Sequence, residues 1–175
     1  RGNMDANEFK NYILGLIFYR YLSETLKHTV ETEYLSEDGI SYEEAWKKPE
    51  YKKVLFEQLT ENSDIGYLIE PKYLYSTMIG LINTGKFDIS ILNKAINQLS
   101  ESTQGHSSQE DFEGLFEDMD LDSSKLGKGE KARSSVIGKI MLKVNDIDFM
   151  HGDAEIDVLG DAYEYLIGQF AASAS

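Results

Sequence analysis

The 175-residue chain contains no cysteine, two prolines and one tryptophan, and its basic side chains are scarce beside the acidic ones. The absence of cysteine excludes disulfides, thiolate metal ligands and a cysteine nucleophile. The 17 Lys and Arg against 31 Asp and Glu give a formal net charge of −14, which argues against polyanion binding by the surface as a whole. The chain also lacks a long hydrophobic run, because Arg20 interrupts residues 12–22, and the sequence therefore predicts no membrane span.

Helical periodicity dominates the sequence, and no alternating strand pattern of useful length occurs. The segment around Pro71 favours an extended connector over a strand. The apolar stripes predict helices over residues 5–27, 42–48, 50–59 and 76–83. A fifth helix is predicted to be capped by Asp88, with its stripe ending at Leu99, and a sixth to begin at Ser107. A seventh is predicted around residues 136–144, and the last has its stripe from Ile156 to Phe170. The predicted fold is all-α, an irregular bundle of seven or eight helices with at most one short strand pair.

Asp118, Asp120 and Asp122 occupy positions 1, 3 and 5 of a candidate calcium loop. Such a loop also requires Gly at position 6 and Glu at position 12, but the chain has Ser123 and Gly129 there. We therefore interpret the triplet as a solvated acidic helix end and predict no metal site. The motif GKGEK lacks the spacing and the Lys-Ser/Thr pair of a phosphate-binding loop, and no catalytic constellation is recognisable.

The distribution of charge is more informative than these motifs. Residues 125–143, the basic island, contain six basic side chains and one acidic one, a formal charge of +5, whereas the 11 basic and 30 acidic residues elsewhere give −19. Such an island favours phosphate contacts, because binding releases counterions from nucleic acid. It contains no aromatic residue, which argues against single-strand binding by base stacking. The alternative is that these side chains balance neighbouring acids such as those of residues 118–122.

Several segments resemble one known family. The opening segment RGNMDANEFKNYILGLIFYRYLSE is similar to the N-terminal helical segment of modification (M) subunits of type I restriction-modification systems. YLIEPKYLYSTMI resembles the family's proline-containing connector, and DVLGDAYEYLIGQFA resembles the helix that leads into its catalytic domain. DSSKLGKGEKARSS is similar to a basic, glycine-containing stretch of the family's helical domain.

The resemblance implies a helical domain, residues 1–170, that precedes a Rossmann-like DNA adenine-N6 methyltransferase domain, with residues 171–175 starting the linker. In the family the catalytic domain carries a Gly-rich S-adenosylmethionine loop and an Asn-Pro-Pro-Phe-type motif, and neither motif occurs in this chain. The family's catalytic and cofactor residues therefore map onto no position here. We expect the chain to be inactive alone, with S-adenosylmethionine bound by the catalytic domain that it lacks.

The implied role is that of a non-catalytic cytoplasmic module that closes around duplex DNA. Its partners would be the specificity subunit and a second M subunit, in a complex that also contains the restriction subunit. The residues predicted to contact the DNA backbone are Lys125, Lys128, Lys131, Arg133 and Lys139. The alternative is a module that contacts only proteins, in which the basic island meets an acidic partner surface. A self-contained enzyme with an unrecognised site is a third hypothesis, with the least support.

Overall fold

A computed structural model of the chain describes residues 6–61, 65–105, 109 and 116–147. Within these residues there are six α-helices and no strand, so the all-α prediction is confirmed, although the predicted number of helices was slightly higher. The helices are α1 (Ala6–Thr29), α2 (Tyr42–Trp46), α3 (Pro49–Glu61), α4 (Tyr75–Asn83), α5 (Ile89–Ser102) and α6 (Glu130–Asn145). A π-helical turn, Val30–Tyr34, follows α1, and a 3₁₀ turn, Pro71–Tyr73, precedes α4.

Two of the predicted helices fall largely outside this part of the chain. The helix predicted to open at Ser107 lies mostly outside the described residues, and its last predicted residues, 116–119, form a turn. The predicted helix with its stripe from Ile156 to Phe170, and the predicted linker 171–175, lie outside the described residues altogether.

Helix α1 lies at the centre of the bundle, as its apolar circumference predicts. Phe9, Ile13, Leu16 and Ile17 are all buried, and the helix packs against both α4 and α6. Helix α6 also contacts α4 and α5, so these four helices enclose most of the core. Helices α2 and α3 pack on each other at the edge of this group.

Local start signals determine where three helices begin. Helix α3 begins at Pro49, whose fixed φ and missing N–H suit a first helical position. The carboxylate of Asp88 accepts a hydrogen bond from the backbone N–H of Ser90 at 2.9 Å and caps α5, as predicted. Ser41 caps α2 in the same way, because its hydroxyl oxygen accepts from the N–H of Glu44 at 3.1 Å.

The segment that leads into Pro71 is an extended connector, as the sequence favours, and two side chains of α5 bind its backbone. The hydroxyl of Ser102 accepts a hydrogen bond from the N–H of Leu68 at 2.9 Å. The amide of Gln98 accepts from the N–H of Glu70 and donates to the carbonyl of Leu68, both at 3.0 Å. A single glutamine therefore supplies the donor and the acceptor that a neighbouring strand would offer. This arrangement satisfies a buried, apolar segment without a sheet.

Four buried tyrosines connect distant parts of the chain. Each hydroxyl donates a hydrogen bond to a backbone carbonyl: Tyr19 to Tyr73 at 2.7 Å, Tyr42 to Ile69 at 2.7 Å, Tyr67 to Leu22 at 2.8 Å and Tyr75 to Met141 at 2.6 Å. Burial raises the pKa of all four phenols above the ordinary value of 10.0, because the ionised form loses its hydration. Three of the bonds attach the connector to α1 and α2, and the bond of Tyr75 attaches α4 to α6.

Arg20, the charge within the longest apolar run, binds the end of α6. Its Nη1 donates to the carbonyl oxygens of Val144 and Ile147, both at 2.6 Å, and its Nε donates to the carboxylate of Glu24 at 2.7 Å. The residue is only 7% exposed. A buried cation is tolerated here because the last carbonyls of a helix lack intrahelical partners. None of the described helices is long and apolar enough to cross a membrane.

Candidate functional site

The basic island contains a helix that starts earlier than its apolar stripe predicts. The stripe indicates a helix around 136–144, whereas α6 begins at Glu130, directly after Gly129. Gly129 has a φ of +87°, a conformation that favours glycine, and it ends the preceding turn. The apolar face of α6, including Ile137, Ile140 and Val144, is buried in the core.

The solvent side of α6 carries a row of polar side chains spaced four residues apart. This basic ridge consists of Lys131, Ser135, Lys139 and Lys143, all of them exposed. Residues at this spacing form one continuous ridge on a helix. With a rise of 1.5 Å per residue, the ridge is about 18 Å long. Its three lysines therefore lie along one side of α6.

A groove of about 510 Å³ runs beside this ridge. Lys131, Lys139 and Ser135 line one wall, and Ile82 and Phe87, from the α4 end and the α4–α5 loop, supply apolar lining. Two acids also line the groove, Glu130 and Asp88. The carboxylate of Asp88 is already engaged in capping α5.

The N-terminus of α5 borders the groove but is not open to an anion. The N–H of Ile89 donates to the hydroxyl of Ser134 at 2.9 Å, and that of Ser90 donates to Asp88. The N–H of Ile91 donates to the carbonyl of Asp88 at 3.1 Å. An anion at this groove would therefore be held by the side chains of the ridge.

The structure brings together two of the five predicted contact residues, Lys131 and Lys139. Lys125 is exposed, but its Nζ lies 2.6 Å from Oε1 of Glu8 on α1. Lys128 is exposed in the loop before α6. Arg133 follows Lys131 by two residues, about 200° around the helix, and is half-buried rather than part of the ridge.

Two further lysines belong to this surface. Lys143 was counted in the basic island but not among the predicted contacts, although its four-residue spacing from Lys139 indicates the same ridge. Lys86 is exposed in the α4–α5 loop, between Gly85 and Phe87, which both line the groove. No local sequence pattern points to Lys86, because its place beside the groove depends on the packing of α4 on α6.

The chain matches the HsdM N-terminal domain family over residues 1–144. The chain belongs to this family. It is also similar to the methylase subunit of the type I restriction enzyme MpnII from Mycoplasma pneumoniae, with 29% identity over 181 residues that cover 99% of this chain and 33% of that protein. It resembles the crystal structure of a type I restriction-modification system methyltransferase subunit from Streptococcus thermophilus, with a TM-score of 0.73 and 33% identity over 96% of this chain and 35% of that one. The chain therefore spans about a third of the length of these relatives.

The basic ridge lies within the residues that match the HsdM N-terminal domain. Among the described residues, none of the three ridge lysines forms an ion pair. Lys125 of the basic island forms an ion pair with Glu8 of α1. Among the described lysines of the basic island, only Lys125 forms an ion pair within the domain.

The described part of this HsdM domain contains no unit of the Rossmann type. S-adenosylmethionine sites of the Rossmann type need a strand, a glycine loop and a helix, and no strand occurs in residues 6–61, 65–105 or 116–147. The same residues contain no group of three His, Asp or Glu side chains that would hold a metal ion. At the acidic triplet, the Asp120 carboxylate accepts from the N–H of Asp122 at 3.0 Å and so forms a local turn.

Proposed function

We propose that the chain is the non-catalytic N-terminal helical domain of a type I DNA adenine-N6 methyltransferase subunit. In this proposal it helps to clamp DNA and to assemble with the specificity subunit and a second M subunit. S-adenosylmethionine and the methyl transfer would belong to the part of the subunit outside these 175 residues. The observation that carries the DNA role is the basic ridge, three exposed lysines without described ion pairs on a chain of net charge −14.

The ridge is suited to the DNA backbone rather than to base edges. Its side chains are lysines and one serine, which bind phosphate oxygens as point charges and hydroxyl donors. Each strand of B-DNA advances about 3.4 Å per phosphate along the axis, so a row of about 18 Å meets several successive phosphates. Contacts of this kind position the protein on the duplex and carry no sequence information.

The salt dependence of DNA binding tests this proposal. In the assembled enzyme, Lys131→Gln, Lys139→Gln and Lys143→Gln together remove three phosphate contacts and should flatten the slope of log K against log salt by about 2.7. A matched control variant replaces Lys47, Lys53 and Lys94 by Gln, three exposed lysines outside the ridge. An unchanged slope in the ridge variant, or an equal loss in the control, contradicts the DNA role.

The second candidate function is assembly alone, with the ridge bound to an acidic protein surface. The observation that favours it is Glu130, an acid inside the groove that would repel a phosphate. Lysine-specific cross-linking of the complex separates the two functions. Ridge lysines that cross-link to another subunit, and whose links persist when DNA is bound, support assembly alone. Links that DNA abolishes support the clamp.

A methyl-transfer assay on the isolated chain tests its lack of catalysis. With S-adenosylmethionine and duplex DNA we expect no turnover, because the family's catalytic motifs map onto no residue of the chain. Methylated adenine above the background of a protein-free reaction would contradict this part of the proposal.

A further inference from the structure

Helix α3 exposes two large apolar side chains in unlike surroundings. Val54 is 55% exposed and Phe56 is 51% exposed. Val54 lines a second groove of about 510 Å³, between α3 and the segment after α1, and Phe56 does not line it. The other apolar lining of this α3 groove is supplied by Tyr34, Leu35, Tyr51 and Leu55. The groove therefore offers aromatic and aliphatic surface beside a solvent-facing valine.

The α3 groove is acidic at its edge. Asp38 and Glu50 line it, and none of the described residues that line it is basic. Glu57 and Glu61 follow Val54 by three and seven residues and so extend the acidic side along the same face of α3. The ammonium of Lys48 lies 5.7 Å from the Tyr51 ring centroid, but Lys48 is not part of the lining.

Two occupants are disfavoured by these charges. A nucleic acid would bring phosphates to Asp38 and Glu50. The segment 148–175 of the chain contains six acidic residues and no Lys or Arg, so it would meet like charge. The basic ridge of a second copy offers the right sign of charge, but its members are Lys and Ser and supply no apolar side chain for the groove.

We infer that the α3 groove docks an amphipathic segment of another subunit, with an apolar side chain seated against Val54 and Tyr51 and with Lys or Arg beside Asp38 and Glu50. This inference rests on the assembly part of the proposed function and is independent of its DNA part. Apolar anchors surrounded by complementary charge are the usual composition of a specific protein interface. Recognition of this kind resembles the docking of an amphipathic helix in a groove.

Photo-cross-linking in the assembled enzyme tests the inference directly. p-Benzoylphenylalanine replaces Val54 in the full-length subunit, and Phe56 in a matched control on the same helix at nearly the same exposure. We expect position 54 to cross-link to a partner-subunit peptide that contains apolar residues and Lys or Arg, and position 56 to cross-link weakly. A link from position 54 to a second copy of this chain or to an acidic peptide overturns the inference. Cross-linking from position 54 that is no stronger than from position 56 also overturns it.

Charge reversal supplies the second measurement. Glu50→Lys should raise the dissociation constant for the partner subunit by about tenfold or more. This is the effect of removing one important interface side chain. Glu101→Lys, at an exposed acid on α5, is the control and should leave the constant unchanged. Equal assembly by both variants overturns the groove inference while leaving assembly intact. Failure of the wild-type subunit to assemble overturns the assembly function itself.

Discussion

Alkaline pH should unfold this domain through four of its buried tyrosines. Tyr19, Tyr42 and Tyr75 are fully buried and Tyr67 is 6% exposed. Burial raises the pKa of each phenol in the folded state, whereas in the unfolded chain each ionises with its ordinary pKa of 10.0. The stabilisation that depends on the neutral phenols is therefore complete below pH 10 and is lost as the pH rises above it.

The magnitude follows from proton linkage. At pH 11 the ionisation of an unfolded tyrosine favours unfolding by about 1.4 kcal/mol. Four such residues give about 6 kcal/mol, which is comparable with the entire free energy of unfolding of a small domain. We therefore expect a cooperative loss of structure between pH 10 and pH 11.

Urea unfolding followed by circular dichroism at pH 8, 10 and 11 measures this loss. Lysines titrate in the same range, so the informative quantity is the difference from Tyr67→Phe. At pH 8 the free energy of unfolding of that variant should be about 1 kcal/mol lower than that of the wild type, because the hydrogen bond to the Leu22 carbonyl is removed. Between pH 10 and 11 the stability of Tyr67→Phe should fall less steeply than that of the wild type, by about 1 kcal/mol. Equal falls, or tyrosinate absorbance of the buried phenols in a chain that is still folded, would refute the reasoning.

Two further predictions concern single contacts. Arg20→Met should lower the free energy of unfolding by about 3 to 5 kcal/mol, because the carbonyls of Val144 and Ile147 lose a buried charged partner. Arg20→Lys should restore little of it, since one ammonium does not reproduce the planar fork of donors; full rescue by Lys in urea melts would contradict this account. Asp88→Ala should cost about 1 kcal/mol through the lost cap on Ser90, and Asp88→Asn should recover most of that loss. Equal thermal stability of the Ala variant and the wild type would argue against the cap.

Those parts of the fold that depend on local chemistry were predictable from the sequence. Pro49 and Asp88 mark helix starts because each satisfies a requirement of its own first turn. Pro71 correctly indicates an interruption for the same kind of reason. The association of the connector with α5 was not predictable, because Gln98 reaches it across 28 and 30 residues and no periodicity encodes that contact.

The candidate site was predictable in composition but not in shape. Counting charges locates the basic island, yet it treats Lys125 and Lys139 as equivalent. The structure separates them, because a side chain 117 residues away neutralises Lys125, while Lys139 stands on a helix face. The apolar stripe begins at Val136 and does not indicate the start of α6 at Glu130, because the first turn of that helix is almost entirely polar. Whether the predicted residues touch DNA stays a prediction.

The contacts of α1 with α6 and with the residues just before and after α6 have a consequence for how the domain is made. Glu8, Tyr12 and Arg20 bond to residues 108 to 127 positions later in the chain. At a translation rate of about 5 to 20 residues per second, the partners of α1 emerge on the order of 10 s after α1 itself. For that interval α1, whose apolar side chains are buried in the folded core, has no α6 to cover it. Newly made chains should therefore depend on chaperones that bind nascent apolar segments, and chains truncated before α6 should aggregate rather than fold.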